Sequence, residues 1–189
     1  ETLIKAINAK LPPDAAVDAL NRVEAEFHPR YDASSRSYIY KIYQRPVRDP
    51  LKDRFAWQQW PVLELERLNL AASILVGRHD FSAFGRAMKP GASTIREVIL
   101  SQWTEQRDQL QYLIEGNAFL YHMVRRIVFL QVQFAKNKLT EEDLRNGVLN
   151  SQPMKSGLAP ARGLTLSEVK YLNNRQRSIE NGEILDNMA

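Results

Sequence analysis

The chain has 189 residues and a net charge of +4, from 26 Lys or Arg against 22 Asp or Glu. That length supports one domain of ordinary size whose core needs no covalent staples. There is no cysteine, which excludes a disulfide scaffold and a thiolate metal site and fits a reducing, cytoplasmic setting. No run of about 18 apolar residues exists, so no membrane helix is expected, and the first residues do not read as a signal peptide.

The charge is unevenly placed. Residues 27–60 hold seven Lys or Arg against three Asp, an excess equal to the net charge of the whole chain. The same stretch holds eight of the 17 aromatic residues. Cations interleaved with stacking rings suit a polyanion with exposed bases, although a solvated basic loop beside a core strand has the same composition.

In chain order, Leu11-Pro12-Pro13-Asp14 marks a turn, and residues 15–23 are readable as either strand or helix. Residues 35–43 form a strand, with Tyr38, Tyr40 and Ile42 on one face and Ser37, Ile39, Lys41 and Tyr43 on the other. Residues 45–61 form a long loop punctuated by proline. Leu65, Leu68, Ala72, Leu75 and Val76 mark an amphipathic helix, stopped by Gly77 just past its C-terminus. Residues 95–103 and 110–115 alternate and predict a hairpin closed by residues 104–109. A helix is expected from about 118 to 135, with Phe119, Met123, Ile127, Leu130 and Phe134 on one buried stripe. Thr140 with Asp143 is a capping box for a helix over 141–149, and residues 164–171 form a last strand. This order predicts an α+β fold, a mostly antiparallel sheet with helices packed on one face and the other face free to bind.

Motifs for nucleotide, P-loop or serine-hydrolase chemistry are absent, and His28, His79 and His122 show no metal-ligand spacing. One oddity stands out. Arg125 lies at the margin of the apolar helix stripe with no carboxylate nearby in sequence to meet it, and an Arg so placed calls for an anion.

Several segments form an ordered set. They are Phe27-His28-Pro29-Arg30-Tyr31-Asp32, Arg36-Ser37-Tyr38-Ile39-Tyr40, Gly77-Arg78-His79-Asp80-Phe81-Ser82-Ala83-Phe84 and Thr94-Ile95-Arg96. Asn117-Ala118-Phe119-Leu120-Tyr121-His122-Met123-Val124-Arg125-Arg126 and Ala159-Pro160-Ala161-Arg162-Gly163-Leu164-Thr165-Leu166 follow. In this order and at these separations the set resembles the tRNA pseudouridine synthase A family, over roughly residues 8–171. That family isomerises uridines in the anticodon arm of tRNA.

The resemblance implies a pseudouridine synthase fold in which residues 1–26 are a remnant of an N-terminal ferredoxin-like half. Residues 27–172 would be the C-terminal catalytic and RNA-binding domain; residues 173–189, polar and aperiodic, read as a tail. It implies no metal and no organic cofactor, tRNA as partner, and a homodimer. Tyr38 matches the active-site tyrosine, Arg125 the arginine that pairs with the catalytic aspartate, and Leu164 the apolar residue under the uracil ring. Arg30, Arg36, Arg96 and Arg126 match phosphate contacts, and His122 a residue able to reach RNA. Each has an ordinary rival: a cross-strand tyrosine, a core leucine, surface arginines, a partly buried histidine. The family's Arg-Thr-Asp-Ala-Gly-Val-His segment, which carries the nucleophile, does not occur in this sequence. Asp80 and Glu115 stand in contexts that do not match it. The resemblance therefore leaves two readings: an isomerase lacking its nucleophile, or a non-catalytic RNA-binding module. The family also usually has Gly where Phe129 stands and again near Ala135, a small-to-large change that needs different helix packing.

Overall fold

The computed structural model describes residues 2–107 and 109–171. The chain divides into two compact units, Glu1–Asp32 and Ala33–Ala189; the expected tail lies outside the described residues. The first unit opens with helix α1 (Thr2–Asn8), which the sequence did not announce and which buries no residue. Residues 15–23 adopt neither strand nor helix. Asn8 supplies their anchor: its side-chain amide donates to the Val17 carbonyl (2.8 Å) and its oxygen accepts from the Val17 N–H (2.7 Å). A side chain here does the work of a neighbouring strand.

The second unit contains β1 (Ala33–Gln44), β2 (Trp57–Gln59), α2 (Leu65–Ser73), β3 (Gly77–Asp80), β4 (Ile95–Gln106) and β5 (Gln109–Gly116). These are followed by α3 (Met123–Ala135), α4 (Glu141–Leu149) and β6 (Leu164–Tyr171). The sheet order is β2-β1-β5-β4-β3, with β6 beside β1. Among the described residues only β1 and β2 pair in parallel. The fold is thus α+β with a mostly antiparallel sheet.

Four details depart from the sequence reading. The loop at 45–61 contains strand β2, held by register with Ile42, Tyr43 and Gln44. Gly77 does not end a helix. Helix α2 stops at Ser73, so Leu75 and Val76 lie beyond it, and Gly77, at φ 113°, opens β3. The hairpin strands run on through Gln106 and from Gln109, which shortens the turn. Helix α3 begins at Met123, not near 118. Its expected first turn is instead stitched to the sheet. The Asn117 side-chain oxygen accepts from the Glu97 N–H (3.0 Å), its own N–H donates to the Glu97 carbonyl (3.1 Å), and Tyr121 N–H donates to the Arg86 carbonyl (3.0 Å). These long-range bonds outcompete helix propensity, which is a weak prior.

The core lies between the helices and the sheet face bearing Tyr40, Ile42, Leu110, Tyr112 and Ile114, all fully buried. A polar network sets the register of α3 on that face. The Trp103 indole N–H donates to Gln131 Oε1 (2.7 Å), Gln131 Nε2 donates to the Tyr112 hydroxyl (3.2 Å), and Ser101 shares a hydrogen bond with that hydroxyl (2.7 Å). Burial pushes the Tyr112 phenol well above its ordinary pKa, against the hydrogen bonds from Ser101 and Gln131, so it stays a neutral partner. The capping box at α4 is complete: Thr140 Oγ1 accepts from the Asp143 N–H and the Asp143 carboxylate accepts from the Thr140 N–H.

Phe129 finds its space opposite a glycine. A Cβ placed on Gly157 would stand 2.2 Å from the Phe129 ring, and Gly157 has φ +146°, a backbone that side chains avoid. The bulk gained at Phe129 is therefore matched by bulk absent at Gly157. Gly157→Ala is expected to lower stability by about 1–3 kcal/mol through overpacking, measured by urea unfolding. Adding Phe129→Gly should recover part of that loss. Additive losses in the double variant would show that the two residues do not share this space.

Candidate active site

The elements converge on a pocket of about 280 Å³ at the start of α3. Its walls include Tyr38 from β1, Phe119 and His122 from the segment before α3, Arg125 from α3, Ala161 from the short 3-10 turn before β6, and Leu164 from the start of β6. That volume is at the small end for ligand sites, near the roughly 300 Å³ where they begin, and suits a single planar ring. The site lies on the helix side of the sheet: Tyr38 packs against the core whose sheet face is formed by Tyr40 and Ile42. The face expected to be free carries Ser37, Ile39 and Lys41 instead and does not line the pocket.

Each wall has a physical cause. Tyr38 meets Phe119 edge to face, with ring centroids 5.2 Å apart. Among the described residues the Tyr38 hydroxyl has no hydrogen-bond partner. Arg125 Nε donates to the Ala159 carbonyl (2.7 Å), and the Ala159 N–H donates back to the Arg125 carbonyl (3.1 Å). The Arg that lacked a partner in the sequence is thus oriented by main chain, and its two terminal nitrogens face no carboxylate among the described residues. A planar fork held at one nitrogen and open at two is suited to bidentate pairing with an anion.

The strip 159–164 closes the pocket and is held from below. The Tyr40 hydroxyl donates to the Pro160 carbonyl (2.7 Å). Burial raises the Tyr40 phenol well above its ordinary pKa, opposed by the charges of Arg125 and Arg162, so it remains a donor. A Cβ on Gly163 would stand 2.6 Å from the buried Tyr40 ring, so only glycine lets the strip lie this close. Arg162 pairs with Asp53 (2.9 Å), which also pairs with Arg48 (2.9 Å) and accepts from the Tyr43 hydroxyl (3.3 Å). Asp53 and Phe119 belong to the site's framework; the sequence did not mark Asp53, and it placed Phe119 on the buried helix stripe rather than at the pocket. Asp53 lies in the Pro-rich loop, 109 positions from Arg162, and only folding reveals that pairing.

The remaining candidates scatter. Arg126 donates to the carbonyls of Gly157 (3.1 Å) and Met154 (2.9 Å), anchoring the strip's approach, and burial lowers its pKa. Arg36 Nη1 donates to the carbonyls of Ala33 and Asn117. Arg96 donates to the carbonyls of Ser93 and Ile95, and burial lowers its pKa too. Arg30 belongs to the first unit, where its N–H meets the His28 ring (3.2 Å). Within the basic stretch, Arg45 pairs with Asp49 and Arg48 with Asp53. His122 adopts the left-handed conformation at φ 64° and lines the pocket from the helix N-cap position. Asp80 accepts from the Ser82 N–H (2.9 Å) and caps a turn. Neither it nor Glu115 lines the pocket.

A family description of tRNA pseudouridine synthase matches residues 71–172, a span that includes Arg125 and Leu164. The chain is 36% identical over 168 residues to tRNA pseudouridine synthase A of Syntrophotalea carbinolica, covering 88% of this chain and 67% of that protein. It is 36% identical over 172 residues to the protein of the same name from Thermoanaerobacter sp., covering 90% and 70%. To that of Myxococcus xanthus it is 33% identical over 170 residues, covering 89% and 64%. The chain belongs to the tRNA pseudouridine synthase family. This is a family of isomerases, and the mostly antiparallel α+β fold described above agrees with it. No helix among the described residues is long and apolar enough to cross a membrane.

Glu115 is a structural carboxylate on the sheet face opposite Tyr38, since its register partner is Ser37. Its oxygen accepts from Ser35 Oγ (2.7 Å) and pairs with Lys170 (2.9 Å), and these contacts lower its pKa below the usual 4.5. A carboxyl depressed in the folded state stabilises above its unfolded pKa and loses that contribution as pH falls through the folded one. Glu115→Gln should therefore lower the urea midpoint at pH 7, and the gap to the parent should shrink as pH falls below about 4.5. A gap that stays constant with pH would show that Glu115 acts through packing alone.

Proposed function

We propose that this chain carries the uridine-binding and charge-pairing part of a tRNA pseudouridine synthase acting on the anticodon arm. The observation that supports this reading most directly is the shared pocket of Tyr38, Arg125 and Leu164, three residues drawn from β1, α3 and β6. The pocket receives a flipped-out uridine. Tyr38 and Leu164 cover the two faces of the uracil ring, and the Tyr38 hydroxyl stands ready to handle the C5 proton. Extruding a base costs a few kcal/mol of stacking, which these two apolar contacts offset.

The chemistry needs a carboxylate that attacks the nucleotide. As the carboxylate bonds to the sugar, the glycosidic C–N bond breaks; the uracil turns, its C5 bonds to the same sugar carbon as the carboxylate leaves, and C5 gives up a proton while N1 gains one. Arg125 keeps that carboxylate ionised, because an adjacent cation lowers a carboxyl pKa. No carboxylate lines the pocket among the described residues, which supports a nucleophile supplied by an Arg-Thr-Asp-Ala-Gly segment outside this sequence. The 189-residue chain alone then makes no pseudouridine. Residues 1–26 are the remnant of the half that bears this segment, and the intact enzyme works in the cytoplasm as a homodimer. Arg30, Arg36, Arg96 and Arg126 contribute to the RNA surface by meeting phosphates.

Tritium release from uracil C5 in tRNA tests the central point. The chain alone should release none. An N-terminal half bearing the nucleophile segment, fused or added, should restore release, and Arg125→Ala should then abolish most of it. Release by the chain alone would overturn the reading. RNA binding without restoration would favour the non-catalytic module.

Binding tests the phosphate-facing arginines separately. Arg30→Ala and Arg36→Ala should each weaken RNA binding and flatten the slope of log K against log salt, by roughly 0.7–0.9 for each phosphate no longer neutralised. Unchanged slopes in both variants would remove these residues from the RNA surface.

A further inference from the structure

We infer that Arg86, Tyr121 and His122 form a second base-binding subsite that takes the nucleotide adjacent to the target uridine, an inference that rests on the uridine reading of the Tyr38 pocket. A hollow of about 400 Å³ adjoins that pocket, and its walls include Arg86, Tyr121, His122 and Arg126. His122 lines both cavities and so stands between them. The Tyr121 and His122 rings stack at a centroid distance of 3.8 Å, tilted by 28°. The Arg86 guanidinium lies 4.9 Å from the Tyr121 ring centre. Tyr121 nevertheless keeps 41% of its surface exposed.

The local backbone is built for this arrangement. Tyr121 bridges to Arg86 through main-chain pairing. A Cβ on Gly85 would stand 2.8 Å from Leu120 Cβ and 2.9 Å from the Tyr121 carbonyl, so glycine permits the close approach of the two segments. His122 is held in the left-handed region at φ 64°, uncommon for a residue with a side chain. Observed strain of this kind is characteristic of functional positions.

The ligand chemistry follows from the parts. An aromatic stack capped by a cation, open to solvent on a basic protein, binds nucleobases and their phosphates. Position adds the specificity. Flipping one base leaves its neighbours unstacked on that side, and a protein ring one cavity away can replace the missing partner. Each base stacked on an aromatic side chain is worth about 1–3 kcal/mol by alanine substitution.

The test uses the 189-residue chain and an anticodon stem-loop RNA carrying the target uridine. Three further RNAs are abasic at the target, at its 5′ neighbour or at its 3′ neighbour. Tyr121→Ala should weaken binding of the intact RNA roughly 5- to 150-fold, the range that loss of one stacked base gives. The loss should vanish on the RNA that is abasic at one of the two neighbours. Tyr121→Phe should bind like the parent, and Arg86→Gln, at an exposed position, should show the same neighbour-specific pattern with smaller size. A uniform loss across all four RNAs from both the Tyr121→Ala and Arg86→Gln variants, no loss from either, or no RNA binding by the parent chain overturns the subsite. A target-abasic RNA that binds as tightly as the intact one instead sinks the uridine reading of the Tyr38 pocket, while the Tyr121 comparison still decides the subsite.

Discussion

The site depends on one arrangement: the strip 159–164 laid across Tyr40 and clamped to Arg125. Three hydrogen bonds and a glycine make it. Ala159 exchanges two bonds with Arg125, Pro160 accepts from Tyr40, and Gly163 rests on the Tyr40 ring. Without the strip, Leu164 and Ala161 leave the pocket, and the guanidinium of Arg125 loses the carbonyl that orients it. The clamp is made largely of main-chain acceptors, which hold position without supplying charge. A carboxylate in place of the Ala159 carbonyl would neutralise Arg125. The carbonyl instead fixes one nitrogen and leaves the positive charge available.

That clamp works only if its two supports are themselves fixed. Tyr40 is set by the sheet, flanked by β5 and β6 and fully buried. Arg125 is set by the register of α3, which the Trp103, Gln131, Tyr112 and Ser101 network determines from beneath. A purely apolar interface would tolerate sliding. Buried polar groups do not, because a missing partner leaves a donor or acceptor unsatisfied at about 1–3 kcal/mol. Asp53 adds a third support by holding Arg162 from the Pro-rich loop. A segment rich in cations thus contributes at least part of its charge to internal pairing and helps to position the strip.

The start of α3 shows how local preference yields to tertiary demand. The apolar spacing from Phe119 onward is helical, yet Asn117 and Tyr121 bond to Glu97 and Arg86 and pull the chain out of the helix until His122. Phe119 is thereby released to meet Tyr38, and His122 is turned between two cavities. An extra helical turn would have buried Phe119 in the core stripe and removed a pocket wall.

The sequence alone determined what depends on periodicity and on motif. Alternation in β1 and in the hairpin, the stripe from Met123 to Phe134, and the Thr140–Asp143 cap are local signals, and local hydrogen bonds and burial realise them. Ordered motifs placed the chain in its family and singled out Tyr38, Arg125 and Leu164. Tertiary structure decided the rest, because it depends on partners distant in the chain. Strand β2 exists through pairing with β1. Gly77 opens a strand because α2 ends early. Phe129 fits because Gly157, far along the chain, has no side chain. Arg125 is oriented by Ala159, and Asp53 serves the site through Arg162, 109 positions away. None of these interactions leaves a periodic trace. A carbonyl acceptor carries no side-chain identity to read, and a space opposite a ring becomes visible only when the chain has folded over it.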